Sequence, residues 1–326
     1  MIGQINKMNH AAIKKLVIFL VLCPVLLFSC VFSGGCTTRA DGKDVNIVAT
    51  VFPAYDIIRE LTAGIPEFSI RLLLRPGTES HTYDPSVNDA VAISECDLLV
   101  YAGGDADTWV GKFLSSGVSD QGRSFELMSA VNEKLMIEGE DEEDPHVWTD
   151  PQNVILIASA LREKLLSVVG GKGLGNAVSD KIIANSDRFI GELEALDNEF
   201  ASLSARISAE KRLLAFGDRF PFRYFCKRYG FSACAVFPGC AEESEPAASD
   251  VKKVVDAIRE NKLDTVFYVE LSSHRIADAI AAETGCKTAC LHSCHNLSKE
   301  DFDAGETYLS LMRRNLETLS RLAVKD

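Results

Sequence analysis

The stretch EGEDEEDPHVWTDPQN, Glu138 to Asn153, sets seven carboxylates around one histidine, His146, in a chain with only six histidines. Imidazole and carboxylate side chains together can hold a divalent transition metal or act as an acid–base pair. A lone histidine in an acidic run is as readily part of a solvated loop, so the chemistry depends on partners elsewhere. Open α/β sheets collect ligands at the carboxyl ends of their strands. His81 follows the apolar run SIRLLL, within RPGTESHTYDPS, and Asp105 follows DLLVYAGG. Asp218 follows RLLAFG, Glu270 follows DTVFYV, and His292, Cys294 and His295 follow TACL. His and carboxylate groups scattered in this way suit Zn²⁺ or Mn²⁺ held between two lobes, rather than a locally spaced structural zinc site. His274 opens a helix and His10 lies in the N-terminal leader, so neither joins the set.

The elements that must position these residues alternate between strand and helix. VNIVATVFPAYDIIRELTAG reads as a β-branched strand and then a helix that stops at Gly64. NDAVAISECDLLVYAGG reads as a helix and a buried strand. DPQNVILIASALREKLLSVVG is a helix with Asp150 as N-cap and Pro151 at its first position. After the glycine-rich GGKGLGN, the stretch SDKIIANSDRFIGELEALDNEFASLSARIS keeps helical spacing without a proline. At 1.5 Å per residue it predicts a rigid helix about 45 Å long. The second half again alternates: RLLAFG, SACAVFPG, DTVFYVEL and KTACLHS as strands, with helices between them and TYLSLMRRNLETLSRLA as a terminal helix. The expected architecture is two α/β lobes, parallel sheets flanked by helices, joined by one long helix with a metal cleft between them. The expected boundaries are a leader over 1–36, a first lobe over 37–170, the connecting helix over 171–209 and a second lobe over 210–326.

The leader has scattered positive charge, the apolar run LVIFLVLCPVLLFSCVF and then SGGCTT, the order of a secretory signal. It also resembles the lipobox of bacterial lipoproteins. Cys36 is the preferred lipidation site over Cys30, because Cys30 would leave the apolar VFSGG at the new terminus. The protein is thus expected outside the cytoplasm, anchored to the membrane by lipid. With 47 acidic and 34 basic residues its net charge is −13, which argues against a nucleic-acid partner. Ten cysteines occur, seven of them beyond the leader. Cys286, Cys290 and Cys294 recur every four residues, as a helical stripe or as a strand entering a loop. Cys240 and Cys294 each follow a strand of the second lobe, so their loops open at the same end of one sheet. A disulfide between them is expected, stabilising the fold by about 3–4 kcal/mol. Free thiols, with Cys294 a soft metal ligand beside His292, are the competing reading. Cys96 and Cys226 read as small buried apolar residues.

RPGTESHTYDPS, DLLVYAGGDADTWV, DPHVWTDPQN, KRYGF, EPAASDVKKVVDAIRENKLDTVFYVE and TYLSLMRRNLETL resemble, in order, the zinc- and manganese-binding lipoproteins of ABC importers. These are the cluster 9, or A-I, substrate-binding proteins. The resemblance implies a metal held by four side chains, two from each lobe. Position by position it implies His81 and His146 from the first lobe. In the second lobe the family's H-D-A-F-x-Y segment is replaced by FGDRFPFRYFCKRYG, where Asp218 is the nearest residue able to ligate. The family's last ligand position falls on His292, with His295 as its rival, and Glu270 is assigned to orient a ligand or an arginine. Three histidines and one carboxylate favour Zn²⁺, with Mn²⁺ as runner-up. The implied function is capture of the metal by a monomer and delivery to an ABC permease, without catalysis. A secreted zinc hydrolase is the catalytic alternative, but H-E-x-x-H and G-x-S-x-G are absent. A manganese receptor or an adhesin on the same fold is the other. The acidic run before His146 reads as a metal-capturing flap or as a solvated loop.

Overall fold

The computed structural model describes residues 44–78, 83–104, 107–115, 121–131, 135–138, 142–239 and 246–323. Cys30, Cys36, His81, Asp105, Cys240 and residues 139–141 of the acidic run lie outside the described residues.

The first sheet is built from β1 (Val45–Ala49), β2 (Phe68–Leu72), β3 (Leu98–Tyr101) and β4 (Ser124–Glu126). They lie in the order β2–β1–β3–β4, all parallel. Helices α1 (Phe52–Leu61), α2 (Val87–Glu95) and α3 (Thr108–Ser115) make the connections. Buried on both faces, a parallel strand has no polar side to show. Along β1, Val45, Ile47 and Ala49 enter the central core, while Val48 enters a second cluster with Leu99 of β3 and Ile93 of α2. A short antiparallel hairpin follows, β5 (Ile137–Glu138) and β6 (Glu142–Glu143), at the acidic run.

The second sheet repeats the plan with β7 (Leu213–Phe216), β8 (Ser232–Ala235), β9 (Thr265–Tyr268) and β10 (Lys287–Cys290). Its parallel order is β10–β9–β7–β8. Helices α6 (Arg223–Tyr229), α7 (Ala248–Asn261) and α8 (Arg275–Thr284) connect these strands. Leu214 and Phe216 face the central core and Ala215 the outer cluster, the same alternation as in β1. β10 ends at Cys290 and the chain leaves it as a loop, so the three regularly spaced cysteines form no helical stripe. A Cβ on Gly217 would sit 2.5 Å from the Ala277 Cα of α8, so only glycine lets β7 end there, one residue before Asp218.

Between the sheets lie α4 (Pro151–Lys172) and α5 (Asn176–Arg206), of 22 and 31 residues. Asp150 caps α4 by accepting from the Gln152 N–H, with Pro151 in the first turn, as its sequence requires. Gly173 ends α4 in the left-handed region. The apolar stripe of α5, Phe189, Leu193, Leu196 and Phe200, belongs to the same continuous core as Ile47 of the first sheet and Phe216 of the second. Two parallel-sheet α/β lobes and a long central helix are thus the expected architecture. After α9 (Lys299–Asp303), the last helix, α10 (Tyr308–Ser320), returns to the first lobe. There the buried Asp56 of α1 accepts from the Tyr308 N–H at 2.6 Å. Among the described residues no helix is long and apolar enough to cross a membrane.

One buried carboxylate ties the central helix to both lobes. Asp197 of α5 accepts from Gln152 Nε2 of α4 (3.0 Å), and from Arg228 Nη2 (2.6 Å) and Tyr229 Oη (2.8 Å) of α6. Burial alone would raise its carboxyl, but Arg228, Tyr229 and Gln152 hold it below the usual carboxylate range. Asp197→Asn should lower stability at pH 7 by about 1.5–3 kcal/mol, the range for hydrogen bonds to a charged group. The folded carboxyl titrates below its unfolded value of about 3.9. Its contribution is therefore complete above that pH and is lost as the pH falls through the folded value. The stability gap between wild type and variant should narrow as the pH falls below about 3.9; a gap constant from neutral to acid pH would remove the charge as its source.

Candidate metal centre

The first half of the centre is the segment Asp144–Asp150. Asp144, fully buried, accepts with Oδ1 from the His146 backbone N–H (2.9 Å) and from His146 Nδ1 (2.6 Å). With the carboxylate as acceptor, Nδ1 carries the ring proton and Nε2 the lone pair, the tautomer a metal ligand needs. Burial alone would raise the Asp144 carboxyl, but the His146 imidazole, its hydrogen bonds and Arg223 keep it below the usual range. A 3₁₀ turn, Val147–Thr149, follows the histidine and is pinned from both sides. Thr149 Oγ1 donates to the His146 carbonyl (2.9 Å) and Asn153 Nδ2 to the Val147 carbonyl (3.1 Å).

The second half is the loop Leu291–Asn296 after β10. Glu270 Oε2 accepts from the Ser293 N–H at 2.7 Å, and Asn315 of α10 brackets His292. Its Oδ1 accepts from the His292 N–H and its Nδ2 donates to the His292 carbonyl, both at 2.7 Å. This loop carries His295 to the first lobe. The His295 ring lies 5.2 Å from that of His146, at 79°, and 5.2 Å from that of Trp148. Trp148 Nε1 donates to the Ser293 carbonyl (2.9 Å), and Tyr308 Oη donates to the Trp148 carbonyl (2.8 Å). One residue on, Asn296 Nδ2 donates to the carbonyls of Arg75 (2.8 Å) and Thr78 (2.7 Å), the latter three positions before His81 in the sequence.

The structure thus brings together His146 and His295, one from each half of the chain. His292 and Glu270 stand behind them. The Cys294 N–H donates to His292 Nδ1 at 3.0 Å, so neutral His292 carries its proton on Nε2. That Nε2 is buried and has no hydrogen-bond partner among the described residues. Asp218 uses both carboxylate oxygens on backbone, accepting from the Arg219 N–H (2.8 Å) and the Val269 N–H (3.1 Å). It braces the ends of β7 and β9. Among the described residues no three His, Cys, Asp or Glu side chains are placed to hold one ion. His81 lies outside those residues.

Cys240, the expected disulfide partner of Cys294, lies outside the described residues. Cys294 is a free thiol, fully buried in the apolar core with Leu291, Leu297 and Tyr308. Burial pushes its thiol well above the usual value. Cys96 and Cys226 are buried free thiols, as expected. His274 is the N-cap of α8, exposed and 2.9 Å from Asp278. Sequence reasoning passed over Asp144, Arg223, Asn296 and Asn315 as working residues. Only Asp144 had a local signal, its place two residues before a histidine.

The family model of the zinc-uptake complex component A periplasmic, ZnuA, matches residues 47–322. The chain is 28% identical to the zinc-binding lipoprotein AdcA of Streptococcus pneumoniae serotype 4 over 324 residues, 94% of this chain and 61% of AdcA. It therefore spans less than two thirds of that relative. It is 26% identical over 316 residues to the high-affinity zinc uptake system protein ZnuA of Bacillus subtilis, 91% of this chain and 93% of that protein. The crystal structure of the Zn(II)-bound ZnuA-like domain of S. pneumoniae AdcA matches the fold with a TM-score of 0.71 at 27% identity. That match covers 86% of this chain and 100% of the domain. With nearly all of its described length accounted for by one family model, the chain belongs to the ZnuA family of zinc-uptake complex periplasmic components.

Proposed function

We propose that this chain is an extracytoplasmic substrate-binding protein that captures Zn²⁺ between its lobes and hands it to an ABC permease. The observation that carries the reading is the pair His146 and His295. One imidazole is oriented by a buried carboxylate, and the other is brought to it from the opposite lobe at a ring separation of 5.2 Å. His81, His146 and His295 are the ligands of this reading. Glu270 and His292 hold the His295 loop in place, and Asp218 braces the second sheet. An imidazole-rich set suits Zn²⁺ better than Mn²⁺, which prefers oxygen donors. Zinc is the cargo here, and the family's role in zinc uptake calls for binding rather than turnover.

A monomer tethered by lipid at Cys36 completes the reading, and the signal-like leader supports it. Competitive titration of the purified full chain with Zn²⁺, Mn²⁺ and Fe²⁺ tests it, together with thermal unfolding in each metal. Zinc should bind most tightly and raise the unfolding temperature, by the linkage between a ligand and the folded state. Unfolding that does not respond to any of the three metals would end the proposal.

A further inference from the structure

Metal ligands are normally oriented by residues of their own neighbourhood. His146 is oriented across the cleft as well. Asp144 gives Oδ1 to His146, and its other oxygen, Oδ2, accepts from Arg223 Nη1 at 3.3 Å. Arg223 is the first residue of α6 in the second lobe. Its guanidinium stacks 5.6 Å from the Phe220 ring centre and also donates to the Pro238 carbonyl, so it is held from its own side. The next residue, Tyr224, donates to the Asp144 carbonyl (3.0 Å) and accepts from the Met136 N–H (3.0 Å). It closes the neck of the β5–β6 hairpin. Burial pushes its phenol up to about 12, so it remains a neutral donor.

We infer that Arg223 is a positioning residue for metal binding: through Asp144 it fixes the tautomer and orientation of His146 from the opposite lobe. This rests on the zinc-binding reading of the centre. A carboxylate held by an imidazole on one oxygen and a guanidinium on the other is fixed in direction, and as acceptor it keeps the ring proton of His146 on Nδ1. Without Arg223, the carboxylate is free to turn and the ring loses its fixed direction. The contact is single rather than forked, so a lysine can replace its charge.

The test is zinc affinity by competition with a chromogenic chelator, on the full chain, for R223Q, R223K, D144N and R223Q/D144N. R223Q should bind zinc about tenfold more weakly, at the lower end for residues that orient a ligand. R223K should recover most of that loss, and the double variant should be no weaker than D144N alone. Wild-type affinity in R223Q, no recovery in R223K, or additive losses in the double variant would each overturn the inference. If R223Q lacks a cooperative metal-free unfolding transition, R223K carries the comparison, and a value as weak as D144N overturns it. H146A separates the two claims. Unchanged zinc affinity in H146A sinks the metal reading itself; weakened binding in H146A beside an unaffected R223Q sinks only the role of Arg223.

Discussion

His146→Ala is expected to weaken zinc binding by at least tenfold, about 1.4 kcal/mol, and His81→Ala by at least as much. A site of a few side chains cannot lose an imidazole without leaving the metal to water or to a poorer donor. His146 is also fully buried and meets Asp144 with ring and backbone alike, so its removal strips a buried carboxylate of one of its partners. Some loss of metal-free stability should accompany the loss of affinity. The two are separated by measuring unfolding in chelator and zinc affinity by competition on the same variants. Zinc affinity of the wild type should also fall as the pH is lowered, because only neutral imidazole binds the metal. Wild-type affinity in His146→Ala would take this residue out of the centre, whatever its stability.

Much of this was legible in the sequence where the cause is local. Asp150 and Pro151 announce the start of α4, and a stretch without proline announces the 31 residues of α5. The apolar runs at Val45–Ala49 and Leu213–Phe216 announce strands buried on both faces. The hairpin β5–β6 was not legible, because two residues per strand are too few to show alternation. The different placement of His292 and His295 was not legible either. Both follow the same strand, and what separates them is the backbone turn at Cys294, whose φ is 61°. That left-handed residue brings its own N–H to His292 Nδ1, while His295 meets His146. The same turn puts the Cys294 thiol in the core. Arg223 and Asp144 are 79 residues apart, and Asn296 and Thr78 are 218 apart. No spacing rule reaches that far.

Trp148→Ala is expected to cost about 3–5 kcal/mol of metal-free stability, the usual range for removing a fully buried large aromatic. The indole is 0% exposed and touches both histidine rings, His146 at 5.3 Å and His295 at 5.2 Å, in edge-on arrangements. Edge-on ring pairs add about 0.5–1.5 kcal/mol beyond burial. Its Nε1 also gives the Ser293 carbonyl a hydrogen bond across the lobes, and Ser293 is itself buried. Trp148→Phe keeps a ring in the space but orphans that carbonyl, at a cost of about 1–3 kcal/mol. The two variants therefore divide packing from the cross-lobe hydrogen bond, and denaturant unfolding in chelator reads both. In both, zinc binding should weaken too, because the loop that presents His295 is held to the first lobe by this contact and by Asn296. A Trp148→Ala protein within about 1 kcal/mol of wild type would mean that the cavity collapses freely. The His295 loop would then owe its place to Asn296 and Glu270 instead.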